Sequence, residues 1–415
     1  MARRKRVEGR SSLFAIGTMT AAVTILLVAD YRSGQEPELS VPVAAAAIAA
    51  APAPVAAPVV QPVVEPAVTP ELEATETVMK TEYDIDASER ERLAAELRSW
   101  KTRDPRQLVD VIADLAERKP LPLPPTYLLA IAWSETRGKI LAVSPAGAAG
   151  LAQATPAAYL SEGFDGKVFM TNSYLIGSRA YIMKKPLGDA LSISEMLLEK
   201  NTPARRAEAK KLLARAMELR REGMDELEAL RPVANDIFYE RIADADERNL
   251  AILQELGRII DQGARRTTLQ RFHGRVEKDY RYLRNLQRDG WKRYEIALTK
   301  KRDALLREHF DKDPDVIFVT NAYEAGEYLG RVLDARFSPT HMADFLAVHL
   351  ATKQREAIAL GFPEEKIDEW TAALYNGGAV NVKRMNAGLM DSLRETEKYM
   401  QSVPRRSGIL ARAIG

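Results

Sequence analysis

The 415-residue chain contains no cysteine, which excludes a disulfide framework and any thiolate metal site. Histidine is almost as scarce. The four present, His273, His309, His341 and His349, have no metal-binding spacing, so neither a metal nor a cofactor is expected. No glycine-rich phosphate loop and no Ser/His/Asp order stands out. An excess of either charge is also missing: 60 basic residues face 58 acidic ones, which gives no reason to expect a nucleic-acid partner. Nowhere in the part that reads as folded do apolar and polar residues alternate with period two, so the expected class is all-α. Catalysis, if there is any, is left to carboxylates, hydroxyls, amides or lysines.

The first thirty residues carry an address. "ARRKR" is a basic start, and Ser11 to Ala29 forms an uncharged, mostly apolar stretch of 19 residues. That length lies between a signal-peptide core and a short membrane span. Leu27-Val28-Ala29-Asp30 makes a poor cleavage site, which favours an uncleaved anchor over removal. With the positive residues ahead of the span, the remainder is expected on the exported side: a periplasmic protein held to the inner membrane by residues 1–35, or released there after signal cleavage. Residues 36–84 follow as an alanine- and proline-rich linker ("VPVAAAAIAAAPAPVAAPVV") with few large apolar groups to bury. It reads as a disordered tether.

Helical signals begin near Asp86. Ser88 and Glu91 fit a capping box, with Leu93, Leu97 and Trp100 at helical spacing. A second helix fits Gln107 to Ala116, and "KPLPLPPT" breaks the chain before Tyr127. From 166 to 311 the sequence becomes long, charged and helix-periodic. Pro203, Pro232 and Gly263 divide it into four helices, expected to pack on one another as an antiparallel arm, since no other part looks made to receive their apolar stripes. Residues 312–405 return to globular composition, and 406–415 read as a tail.

One stretch poses the functional question. In "LLAIAWSETRGK", Tyr127 to Trp133 is apolar on every face, yet Glu135 follows two residues later. A glutamate at a helix end ordinarily points into water. Held against apolar walls instead, it would keep its proton to unusually high pH. Downstream comes "AVSPAGAAGLAQATP", with Ser144, Gly150 and Gln153 respectively nine, fifteen and eighteen residues after Glu135. "NAYEAGEYL" (321–329), "AALYNGG" (372–378) and "ETEKYMQSV" (395–403) follow in order.

These four blocks, over about 85–165 and 312–405, resemble the lytic transglycosylase domain of the soluble type, a relative of goose-type lysozyme. The resemblance implies a lysozyme-like catalytic domain in two parts, 85–165 and 312–405, interrupted by the 166–311 arm. It implies a substrate, the glycan strands of peptidoglycan, cut between N-acetylmuramic acid and N-acetylglucosamine. Glu135 would be the single acid and base, assisted by the substrate's own N-acetyl group, and the product would be a 1,6-anhydro sugar. Tyr375 resembles the tyrosine that orients the carboxyl. Ser144, Gln153, Asn376 and, more weakly, Glu395 take substrate-binding roles. Gly147, Gly150, Gly377 and Gly378 suit either turns or close approach of glycan to backbone.

The sequence departs from that pattern by one extra residue before the glycine of the Asn321 block, by Leu374 inserted before Tyr375, by Met400 in place of a valine, and in two places nearer Glu135. Ala152 stands where the family has methionine, and Gly138-Lys139-Ile140 where it has an aromatic-x-Pro stretch. Arg137 and Lys139 would lower the pKa of Glu135 if turned toward it, or would meet peptide-stem carboxylates if turned outward. A hydrolytic lysozyme and a non-catalytic wall-binding scaffold with a helical interaction arm stay open as alternatives. The arm itself suits gating of the cleft or docking of a protein partner of the cell envelope.

Overall fold

Residues 83–118, 120–164, 166–228, 236–389 and 394–414 are described by a computed structural model. The expected anchor, and the tether up to residue 82, lie outside the described residues. Those described are helical, with no strand among them. The all-α class read from the missing period-two pattern holds.

Helix α1 (Ala87–Ser99) starts on a capping box set two residues earlier than expected. Asp86 accepts from the Glu89 backbone N–H at 2.8 Å and Glu89 accepts from that of Asp86 at 2.9 Å. Ser88 and Glu91 fit the same spacing but lie inside the helix. Helix α2 (Pro105–Arg118) follows, then α3 (Pro125–Thr136), in which every residue from Pro125 to Ala132 is buried. Helix α3 is enclosed by α2 and by α14 (Arg394–Ile414), with Leu97, Ile112, Leu128, Ile131, Phe345, Leu346 and Val403 in one apolar cluster. Each such fully buried side chain contributes about 1.5–3 kcal/mol.

After the short α4 (Pro156–Ser161) come the four expected arm helices: α5 (Asn172–Glu199), α6 (Pro203–Glu228), α7 (Asp236–Asp261) and α8 (Arg266–Phe310). Pro203 opens α6 and Gly263 separates α7 from α8, whereas Pro232 lies outside the described residues. Helix α8, 45 residues long, extends roughly 68 Å. It packs along α5, and a Cβ on Gly290 would lie 2.7 Å from the Ser173 carbonyl oxygen of α5.

The arm helices do not pack only on one another. Tyr294 and Leu298 of α8 are fully buried in a core shared with Ile140, Leu141, Ala149 and Phe337. Arg302 of α8 donates to the Leu141 carbonyl at 2.7 Å. The stripe periodicity correctly announced a buried face, but much of what covers that face belongs to the segments flanking the arm.

The chain returns through α9 (Pro314–Thr320), α10 (Ala322–Val332), a 3-10 turn at Ala335–Phe337, α11 (Pro339–Ala359), α12 (Ile367–Gly377), α13 (Ala379–Asn386) and α14. Three polar ties bind α13 to the arm: Asn381 to Tyr181 at 2.8 Å, Lys383 to Glu222 at 2.7 Å and Arg384 to Asp189 at 2.9 Å. The last pair is buried, and only the Nε of Arg384 is bonded in it. Burial pushes the Asp189 carboxyl up to about 6 against the pull of Arg384. Among the described residues, no helix is long and apolar enough to cross a membrane.

Candidate active site

Helix α3 stops at two successive left-handed residues, Arg137 (φ 53°) and Gly138 (φ 77°). A Cβ at Gly138 would meet the Thr102 methyl at 2.5 Å. This gives a physical reason for glycine where an aromatic-x-Pro stretch was expected: the chain turns sharply beside Thr102. Glu135 sits in the last turn before this stop, partly exposed, so that a substrate atom can reach it.

The loop beyond is short of regular structure yet closely fixed. Isolated antiparallel bridges pair Val143 with Ala149 and Ala149 with Ala154. Its main anchor is a pair absent from the sequence reading. Asp334 and Arg336 have no solvent exposure. The Arg336 guanidinium bonds both Asp334 oxygens, at 2.9 and 2.6 Å. It also donates to the carbonyls of Gly147 and Ala154, each at 2.9 Å, and to the Tyr294 hydroxyl at 2.7 Å. One side chain thus ties the two ends of the loop to the arm helix α8. Gly150 (φ 75°) fits under it, since a Cβ there would fall 1.7 Å from the Arg336 carbonyl oxygen. That contact alone accounts for the glycine.

The loop carries two of the expected sugar-binding groups. Ser144 accepts from the Ala148 N–H at 3.1 Å and keeps its own hydroxyl proton to donate. Gln153 is left-handed (φ 48°), an uncommon state for a residue with a side chain. Its amide nitrogen donates to Gly150 at 2.9 Å and to Ala142 at 3.3 Å, which fixes the direction of the side chain.

Glu135, Tyr375 and Glu395 are brought together, and Tyr399 joins them. Burial pushes the Glu135 carboxyl up to about 7; the Tyr399 hydroxyl draws it down and the charge of Glu395 raises it. No cation contributes. Arg137 turns the other way, its guanidinium 5.9 Å from the Trp133 ring, and Lys139 is exposed. Tyr375 lies close enough to Glu135 for that charge to raise its own pKa, behind the larger effect of burial. Its hydroxyl does not point at the acid, however: it donates to the Ala152 carbonyl at 2.6 Å. The hydroxyl that bears on Glu135 belongs to Tyr399. It is buried with no partner at full hydrogen-bond geometry, so it acts on Glu135 from slightly longer range. Tyr399 lies in the "ETEKYMQSV" block, four residues after Glu395 on one face of α14, and that i, i+4 spacing was the available signal.

Asn376 accepts from the Thr396 hydroxyl at 2.9 Å, which leaves its amide protons for a ligand. Glu395 is exposed on α14. A second carboxylate, Glu162, lies against His349, whose ring is edge-on to Tyr375 at 5.4 Å. Both Glu162 oxygens are engaged, by His349 at 2.5 Å and Thr352 at 2.9 Å. Burial pushes Glu162 up, but its hydrogen bond and attraction to His349 outweigh this and hold it below the usual carboxylate range. It is therefore a poor candidate for a free base. Among the described residues no cluster of three or more His, Asp or Glu side chains could hold a metal ion.

What Glu135 can do in this setting is donate a proton near neutral pH and take it back. Compared with protein-family models, with curated proteins and with solved structures, the chain matches none.

Proposed function

We propose that this chain is a peptidoglycan lytic transglycosylase that cuts the bond between N-acetylmuramic acid and N-acetylglucosamine. The observation that carries the reading is the setting of Glu135, half-buried at the end of an apolar helix, with no cation beside it and Tyr399 near it, within the four-block motif; burial pushes its carboxyl up to about 7. Glu135 donates its proton to the glycosidic oxygen as the bond from the anomeric carbon breaks. The acetamido oxygen of the same sugar closes on that carbon. Glu135, now a carboxylate, takes the proton of the 6-hydroxyl, whose oxygen displaces the acetamido oxygen and leaves a 1,6-anhydro ring. Such a cycle needs one carboxyl rather than the two of most glycosidases, which suits a site where Glu162 is fully engaged. Ser144, Gln153 and Asn376 orient the sugars. Residues 1–35 serve as anchor or export signal, and the arm gates the cleft or docks an envelope protein.

A specific observation favours a second reading. The Tyr375 hydroxyl is committed to Ala152, and Ala152 itself replaces the family's methionine, as in a site that binds wall glycan without cutting it. Digestion of isolated sacculi followed by mass spectrometry separates the outcomes. Anhydro ends, lost in Glu135→Gln, support the proposal. Reducing ends indicate hydrolysis, and intact glycan indicates a scaffold.

A further inference from the structure

The two helices that carry Glu135 and Tyr399 also carry a feature that the proton chemistry does not use. A cleft of about 660 Å³ opens between Trp100, Trp133 and the outer face of α14, and Lys398, Arg405 and Arg406 line it. None of its lining residues is acidic. The two indoles meet edge to face at 5.1 Å. The Arg406 guanidinium lies 4.3 Å over the Trp133 ring and donates to the Ser134 and Ser402 hydroxyls at 2.7 and 3.1 Å. Arg137 approaches the same ring. Four cations thus gather around an indole pair, and among the described residues none of the four forms an ion pair. The Glu96 carboxylate accepts from the Trp100 indole N–H at 2.8 Å but pairs with none of the four, and their mutual repulsion favours an anionic ligand. Its place is informative too. Trp133 shares helix α3 with Glu135, and Arg406 lies on α14 two helical turns beyond Tyr399, roughly 10 Å along the axis. An extended peptide covers that distance in about three residues.

We propose that this cleft is a subsite for the carboxylate-bearing peptide stems attached to the glycan. The inference rests on the peptidoglycan reading of the neighbouring site. The stem carboxylates pair with Lys398 and Arg405, while the stem backbone and methyl groups lie on Trp100.

The test compares the full chain with a Lys398→Glu/Arg405→Glu variant. Both side chains are exposed, so the reversals leave the core alone, and a melting curve checks this. Two substrates are digested: intact sacculi, and the same glycan stripped of stems by an amidase. Binding of a soluble stem tetrapeptide is followed by tryptophan fluorescence. The variant is expected to lose about tenfold on intact sacculi and in tetrapeptide affinity, while its rate on stripped glycan stays within about twofold. Equal loss on both substrates, or loss on neither, overturns the subsite. If the parent chain cuts neither substrate, the cleavage reading fails and the tetrapeptide decides alone. Salt-sensitive binding abolished in the variant then upholds the subsite, and no binding sinks it. Equally tight binding of polyphosphate reduces the cleft to a general anion surface and also overturns the proposal.

Discussion

Two ionisable groups, the fully buried Arg336 and the half-buried Glu135, are treated in opposite ways. Arg336 has a carboxylate, two carbonyls and a hydroxyl around it, so its charge is matched bond for bond and its geometry is fixed. Glu135 has no cation, one hydroxyl just short of a full hydrogen bond and the repulsion of another carboxylate. A protein able to satisfy Arg336 so completely could have paired Glu135 as well. Left alone, Glu135 holds a proton it can give away; paired, it would be a permanent anion. Full pairing fixes position here, and withheld pairing leaves a carboxyl able to exchange a proton near neutral pH.

The comparison can be broken at four places. Arg336→Met should have the largest structural effect, because it leaves the Asp334 charge buried and strips the loop of its anchor. A loss of about 3–5 kcal/mol is expected in urea unfolding, and a loss under about 1 kcal/mol would show that the hub does not carry the loop. Glu135→Gln should cost cleavage about 10²- to 10⁴-fold and yet stabilise the fold at alkaline pH. The sign follows from linkage. With the folded pKa at about 7, above the ordinary glutamate value, the contribution of Glu135 to stability is full at acid pH, below that ordinary value, and is lost as pH rises through 7. Relative to wild type, the variant should gain up to about 3 kcal/mol at pH 8 and nothing near pH 4. Parallel unfolding at the two pH values checks it.

The remaining two changes are smaller and opposite in sign. Tyr399→Phe removes the group that lowers the Glu135 pKa, so the alkaline limb of the pH–rate profile should move to higher pH. Glu395→Gln removes a repulsive charge, so the same limb should move to lower pH. This second shift should be the smaller one and should shrink in 1 M salt, since Glu395 is exposed and its field is screened. Movement of both limbs in one direction would refute the assignment of these neighbours.

The sequence made some of this legible and hid the rest for identifiable reasons. The all-apolar run Tyr127–Trp133 marks a buried helix because no face is left polar for water. Pro203 marks a helix start because its missing N–H would have no partner in the first turn, and Gly263 (φ 58°) a helix end because it enters the left-handed region readily. The capping box was placed on Ser88 because Asp86 and Ser88 both stand three residues before a glutamate, and spacing alone cannot choose between them. The Asp334–Arg336 hub was invisible, since two charges two residues apart ordinarily lie on solvated surface. Periodicity announced that Tyr294 and Leu298 are buried but not what buries them. Tyr375 lies near Glu135, while the direction of its hydroxyl depends on Ala152, a carbonyl 223 residues away and outside any local pattern.

Helix α3 has a consequence for the time course of folding. It is apolar on every side, and its main cover, α14, begins some 260 residues further along the chain. At translation rates of about 5–20 residues per second, that separation amounts to tens of seconds. Throughout it Leu128, Leu129 and Ile131 have no complete shelter, and the long arm must be made before the second half of the core can close. Such non-local closure is slow and leaves sticky surface exposed. The nascent chain is thus a natural client for holding chaperones, and a stop codon ahead of α14 would remove the cover of α3 and Tyr399 together.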